Sequence, residues 1–217
     1  EKPFIQYAEL GPDDPNFFEA YKVAVDRSAI EIIDEVKAIE TAIAEKKLAN
    51  MSFGKIQPII FERHLYSPLL HIKDGSELVT ISPVELNEGE KDFVLDLKEY
   101  YEKHKSWFEG RELYLLRNRS RGKGIGFFEA ENFYPDFILW LLQDEKQHIA
   151  FIDPNGILRL RGLEDPKIMF HKTIKNLEKR LNDHNVTMDA FIISSTSIED
   201  VKWWSGGGIL EFNKRNV

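Results

Sequence analysis

The chain has 217 residues, of which 42% are apolar and 30% charged, and its formal net charge at pH 7 is −8. A chain of this length can bury one good core, or one core with a small satellite. The net negative charge excludes the overall basic surface of a dedicated nucleic-acid binder. Any binding of nucleic acid must therefore come from a local basic patch. The absence of cysteine excludes disulfides and cysteine-ligated zinc, and it fits a reducing compartment such as the cytoplasm.

The sequence carries no membrane signal. Its longest apolar run, near residues 137–142, is too short to span a bilayer, and the first residues lack a signal-peptide pattern. We therefore predict no membrane association. The chain begins at Glu1 without a methionine, which indicates a fragment of a longer protein.

Residues 1–85 are predicted to form a helical and β accessory or connector region. After an irregular start, the spacing of Ala, Ile, Val and Leu predicts one long helix from Asn16 to about Ala49. Three short β-like runs follow, at 57–63, 68–73 and 77–82. We expect these runs to form a small meander beside the helix.

Residues 86–217 are predicted to form a second domain, in which the strands form one sheet and the helices pack on it. Apolar spacing predicts a helix that begins near residues 88–92 and ends before Gly110. The further predicted elements are strands at 112–118 and 124–130, a hairpin, a helix at 164–182, a strand at 190–195 and a short helix from Ser197 through Trp203 and Trp204. The order of elements predicts an α/β fold.

Two acids interrupt the apolar pattern of the predicted hairpin. Its strands cover residues 133–142 and 148–152, with Asp136 near the start of the first strand and Asp153 just after the second. In an antiparallel pair these two ends lie side by side, so we expect the carboxylates to meet at one edge of the sheet. An acid in a buried strand is costly unless it is paired or binds a metal ion. The two acids therefore predict a divalent metal site.

The hairpin resembles the signature of the PD-(D/E)xK nuclease family. Pro135-Asp136 matches the first half of that signature, and Asp153-Pro154-Asn155 matches the second half except at its last position, where the family has lysine. The resemblance covers roughly residues 86–205. It is strongest to the C-terminal nuclease part of type III restriction enzyme-like proteins, in which such a domain follows a helicase motor.

A third acid is implied by the preceding helix. The run NEGEKDFV, which starts at Asn87, is similar to the family's helical motif, in which a glutamate precedes phenylalanine by three positions. The resemblance makes Glu90 the third acid, with Asp96 as the alternative.

The resemblance implies a restriction endonuclease-like core, built from a helix, a mixed sheet of four or five strands, a helix and a strand, that hydrolyses DNA. Mg²⁺, or Mn²⁺ in its place, would be bound by Asp136, Asp153 and Glu90. Mg²⁺ prefers oxygen ligands and often needs only one or two carboxylates plus the phosphate. The implied partners are DNA and a helicase or ATPase motor, in the same chain or in a partner chain.

Asn155 stands where the family uses lysine to orient the attacking water and to stabilise negative charge. Losing such a donor would cost about 3 kcal/mol in the transition state. Three explanations stay open: a naturally inactive protein, a lysine that has moved in from Lys123 or Lys167, or a Lys-to-Asn change that silences a toxic nuclease. We favour a silenced or weakened site, because both acids and the surrounding pattern are intact.

A basic patch precedes the hairpin. It consists of Arg117, Arg119, Arg121 and Lys123, within seven residues. On a loop beside the acids these cations would contact DNA phosphates, and the alternative is an ordinary solvated turn. Among the histidines, which lack metal-ligand spacing, His171 is expected to be exposed or half-buried.

Two other functions compete with the endonuclease. The first is a catalytically inactive module of the same fold that binds DNA or braces a helicase motor. The second is a protein-interaction domain in which the acids form salt bridges.

Overall fold

The structure is a computed structural model that describes residues 22–26, 28–45, 47–48, 51–61, 69–73, 78–82, 85–118, 125–127, 133–155, 157–158 and 160–201. The described residues belong to two compact units, one within Leu10–Glu99 and the other within Tyr100–Val217. The domain boundary predicted at residue 85 rests on sequence patterns and stays a prediction.

The described part of the unit within Leu10–Glu99 contains helix α1, two small antiparallel strand pairs and the first part of a second helix. Its elements are β1 (Lys22–Val25), α1 (Ile30–Ala44), β2 (Ile56–Ile59), β3 (Leu69–Ile72), β4 (Val79–Ser82) and the first part of α2 (Glu88–Lys103). Strand β1 pairs with β4, and β2 pairs with β3. Ile32 and Ile39 of α1 are buried in one core with Ile56 of β2, Ile72 of β3 and Ile81 of β4.

The long helix predicted from Asn16 to Ala49 is wrong in its extent. Residues 22–25 form β1, and α1 begins only at Ile30. Val23 and Val25 alternate along β1 and pack against the core, so a period of two governs this stretch rather than the helical period. Residues 16–21 of the predicted helix lie outside the described residues.

The three predicted accessory strands exist, but they do not form one meander. β2 pairs with β3, whereas β4 pairs with β1, a strand that the sequence pattern did not reveal. The packing of these strands on α1 is confirmed by their shared core.

The unit within Tyr100–Val217 contains a mixed four-stranded sheet. After the end of α2 it consists of β5 (Arg111–Arg117), β6 (Phe137–Gln143), β7 (Lys146–Asp153), α3 (Pro166–Leu181), β8 (Val186–Ile192) and a 3₁₀-helix at Ile198–Asp200. The strand order is β5-β6-β7-β8. The first two pairings are antiparallel and the last is parallel. The predicted α/β class and the order helix, strands, helix, strand are confirmed.

The hairpin β6–β7 sets the position of both acids. Its turn contains only Asp144 and Glu145, and Asp144 adopts a left-handed conformation with φ of 52°, which Asp tolerates better than most residues. At the far end of the hairpin Phe137 pairs with Ile152. The next residue on each side is therefore Asp136 or Asp153.

Helix α3 carries the chain from β7 back to the parallel strand β8. It begins at Pro166, the residue type favoured at a first helical position, and the Asp165 carboxylate caps it by accepting from the Lys167 N–H at 2.9 Å. Its inner face buries Ile174 completely, against Ile138 and Phe151 of the sheet. Burying a side chain of this size contributes roughly 1.5–3 kcal/mol.

Three other predicted elements differ from the structure. Within 124–130, residues 125–127 form no strand but a single bridge between Phe127 and Phe133, and the other residues lie outside the described ones. The predicted strand at 190–195 is β8, which starts at Val186 because Val186, Met188 and Ala190 alternate into the core. The predicted helix from Ser197 is a short 3₁₀-helix, and Trp203 and Trp204 lie outside the described residues.

The described residues include no helix with both the length and the apolar character needed to cross a membrane.

A polar cluster joins α3 to β8. The Glu178 carboxylate accepts from the Met188 N–H at 2.5 Å and from the Lys175 ammonium at 3.1 Å, and Lys175 also lies 2.8 Å from Asp189. Burial by itself raises the pKa of Glu178, but these two donors outweigh it and hold that pKa below its ordinary value of 4.5.

We predict that Glu178→Gln lowers the free energy of unfolding at neutral pH by about 1 kcal/mol, after allowance for solvent screening. A carboxyl with a lowered pKa in the folded state contributes stability above its unfolded pKa and loses it as pH falls through its folded pKa. The difference between wild type and variant should therefore shrink below pH 4.5. Urea unfolding across a pH series measures it, with the exposed Glu164→Gln as control, and a difference that is constant with pH would contradict the prediction.

Candidate active site

Asp136 and Asp153 converge on one nitrogen atom. The side-chain amide nitrogen of Asn155 donates to Oδ2 of Asp136 at 2.5 Å and to Oδ1 of Asp153 at 2.8 Å. Oδ1 of Asp153 also accepts from the Asn155 backbone N–H at 3.1 Å. The two carboxylates therefore lie at the same edge of the sheet, as the hairpin register predicts.

Asp153 is almost completely buried, with 3% of its surface exposed. Its second oxygen, Oδ2, lies 2.7 Å from the Lys167 ammonium, so a positive charge compensates the buried carboxylate. Its backbone carbonyl accepts from the Ile193 N–H at 2.9 Å, which ties the end of β7 to the chain just after β8. Neighbouring elements thus hold Asp153 in position.

The start of α3 places Lys167 beside the acids. Because Asp165 caps the helix and Pro166 opens it, Lys167 stands in the first turn, near the end of β7. Its side chain is 20% exposed, and its ammonium lies 5.9 Å from the centre of the Phe133 ring. Of the two lysines named as replacements for the family lysine, Lys167 lies at the site, whereas Lys123 is outside the described residues.

Arg117 lies on the other side of the pair. Its Nη1 is 3.6 Å from Oδ1 of Asp136 and donates to the Asp136 backbone carbonyl at 3.3 Å. The guanidinium also lies 5.1 Å from the centre of the Phe137 ring. Arg117, predicted to contact DNA, is therefore engaged with Asp136 in this structure. The other predicted DNA contacts, Arg119 and Arg121, lie outside the described residues.

Asn118 supports the site and was missed by sequence reasoning. It is buried, and its amide nitrogen donates to the carbonyls of Ile125 and Pro135, both at 2.8 Å. Its Oδ1 accepts from the Ile125 N–H at 2.9 Å, and its backbone N–H donates to the Asp136 carbonyl at 2.7 Å. The only sequence signal is an amide residue directly after a strand, a position where Asn commonly bonds to nearby backbone.

A small pocket lies beside the Lys167 and Asp153 pair. Phe133 and Phe170 form part of its apolar lining, and His171 contributes a polar group. His171 is half-buried, as expected, and its Nδ1 lies 2.7 Å from the Ile168 carbonyl oxygen. His171 stands one turn after Lys167, so the two side chains share one face of α3.

Glu90, the predicted third acid, lies in the unit within Leu10–Glu99. It is buried at 3% exposure, and its carboxylate accepts from the Asn87 N–H at 2.9 Å. The Asn87 side chain in turn accepts from the Glu90 N–H at 2.9 Å, so the two residues form a capping box at the start of α2. The alternative acid, Asp96, is exposed on the same helix. A metal-binding role for Glu90 stays a prediction.

The chemistry of Asp136 and Asp153 fits a hard divalent cation. Their oxygens face an amide donor, an ammonium and a guanidinium, which compensate the negative charge in this structure. Within the part of the chain that the structure describes, no group of three or more His, Asp or Glu side chains is placed to hold a metal ion. Mg²⁺ is commonly bound by one or two carboxylates together with substrate phosphates, so two aspartates suffice.

We predict that Asn118→Ala lowers the free energy of unfolding by about 2 kcal/mol, because the buried bond to the Pro135 carbonyl and two part-buried bonds to the Ile125 backbone are lost. Chemical denaturation measures the change. Asn176→Ala, at an exposed position of α3, is the matched control and should change stability by less than about 0.5 kcal/mol. Equal stability of the two variants would contradict the prediction.

Comparisons with protein-family models, with curated proteins and with solved structures found no match to this chain.

Proposed function

We propose that this chain is the metal-dependent DNA endonuclease domain of a restriction or phage-defence helicase-nuclease, with a restriction endonuclease-like core. The observation that carries the proposal is the convergence of Asp136 and Asp153 on one nitrogen atom at the end of the central hairpin. The order of α2, three antiparallel strands, α3 and a parallel strand supports it.

The two aspartates would hold Mg²⁺ or Mn²⁺, with the substrate phosphate and water as the further ligands. A cation bound there lowers the pKa of the attacking water and neutralises charge that develops on the phosphate. The burial of Asp153 strengthens every charge interaction at this site, since less water screens it. Arg117, Arg119, Arg121 and Lys123 would hold neighbouring phosphates on the DNA.

A specific observation favours a second function, an inactive module of the same fold that binds DNA or braces a motor. Asn155 carries no charge at the last position of the signature, and its amide donates to both acids at once. In such a module these contacts would serve structure alone. Measurements of metal binding and of DNA cleavage distinguish the two functions.

We predict that the wild-type chain binds Mn²⁺ in calorimetry and nicks supercoiled plasmid with Mg²⁺ or Mn²⁺. Asp136→Asn and Asp153→Asn keep the side-chain shape but remove a charged ligand, so each should weaken Mn²⁺ binding by more than about tenfold and abolish nicking. Asp200→Asn changes an exposed acid of the same unit and should leave both properties unchanged. Thermal unfolding of each variant checks that the fold persists.

Absence of Mn²⁺ binding by the wild type would overturn the endonuclease proposal. Mn²⁺ binding and salt-sensitive retention of DNA without nicking would favour the inactive module.

A further inference from the structure

We propose that Lys167 supplies at this site the positive charge that Asn155 lacks, so that the site is active rather than silenced. The inference rests on the proposed endonuclease function and names a catalytic residue for it. Its basis is the 2.7 Å contact between the Lys167 ammonium and Oδ2 of Asp153.

The Asp153 carboxylate is divided between two donors. Oδ1 accepts from the side chain and backbone of Asn155, whereas Oδ2 faces Lys167. The Lys167 ammonium therefore contacts the same carboxylate as Asn155, the last residue of the signature. It does so from α3, whereas Asn155 lies just after β7. Asn155 and Lys167 together provide what one lysine would provide, namely a hydrogen-bond donor and a cation beside the acids.

Arg117 is less suited to this role. Its guanidinium is bonded to the Asp136 carbonyl and placed over Phe137. Lys167 has a flexible stem and a compact ammonium with three donors, and it lies at the edge of a pocket. Its ammonium can keep one contact to Asp153 and direct another donor towards a phosphate or water.

The reaction adds one water across a P–O bond of DNA. The water oxygen bonds to phosphorus, the bond to the leaving sugar oxygen breaks, and its electron pair stays on that oxygen. One proton of the water passes to solvent, and the leaving oxygen takes one proton from solvent. Lys167 keeps its own protons, orients the attacking water by a hydrogen bond and offsets negative charge on the phosphate.

The same contact predicts that removing the Lys167 ammonium strengthens metal binding, although it weakens DNA cleavage. Lys167 neutralises Asp153, which is one of the two proposed metal ligands. Removing the ammonium frees this carboxylate for a cation, so Mn²⁺ should bind more tightly. A lysine that only stabilised the fold would not raise metal affinity and lower cleavage together.

The test compares Lys167→Ala, Lys167→Gln, Asn155→Lys and the double change Lys167→Ala with Asn155→Lys in the 217-residue chain. We expect Lys167→Ala and Lys167→Gln to lose roughly 100- to 1,000-fold in plasmid nicking. Their affinity for Mn²⁺ in calorimetry should rise at least about fivefold. The double change should recover nicking, since it returns a lysine to the end of the signature. Lys172→Ala, an exposed lysine of α3, should behave as wild type.

The outcomes separate this inference from the endonuclease proposal. Nicking by Asn155→Lys but not by wild type overturns the role of Lys167 while supporting the nuclease. Wild-type nicking that survives in Lys167→Gln also overturns the role of Lys167 alone. No nicking and no Mn²⁺ binding in any variant overturns both proposals.

Discussion

The buried charge of Asp153 is the constraint on which the site depends. Burying a carboxylate with 3% of its surface exposed is costly without polar partners, and both of its oxygens face donors. Asp136 adds a second negative charge within reach of the same Asn155 nitrogen. Two acids held this close repel each other, and hydrogen bonds and cations offset that repulsion. A divalent cation would offset it more strongly, which links the stability of this region to the proposed function.

Three local features position the site residues on β5, β6, β7 and α3. The two-residue turn fixes the hairpin register, which brings Asp136 beside Asp153. The Asp165 cap and Pro166 start α3 where Lys167 can reach the end of β7. Asn118, directly after β5, bonds to the Asp136 and Pro135 carbonyls and so orients the start of β6. Polar contacts that cross between elements in this way are made only when the sheet and α3 are packed.

The sequence predicted those parts of the fold that depend on short-range patterns. Apolar runs and turn residues predicted the hairpin, α3 and most strands, and antiparallel register alone predicted the meeting of Asp136 and Asp153. The strand β1 was missed because it has only four residues and lies just before the helical apolar spacing of α1. From the sequence, Lys167 was only one of two candidates for the missing lysine, because its position depends on how α3, which lies between β7 and β8 in the chain, packs. Glu90 was expected only as a metal ligand, whereas the structure shows that it caps α2 through reciprocal bonds with Asn87.

Asp136 and Asp153 are proposed to bind a divalent cation where the Asn155 amide bridges them in this structure. A crystal structure of the chain grown with Mn²⁺, with the ion located by its anomalous scattering, tests this proposal. An anomalous peak is expected between the two carboxylates, with oxygen ligands from both and with the Asn155 amide turned away. An Asn155 amide that still bridges the two acids at saturating Mn²⁺, with no ion between them, would contradict it.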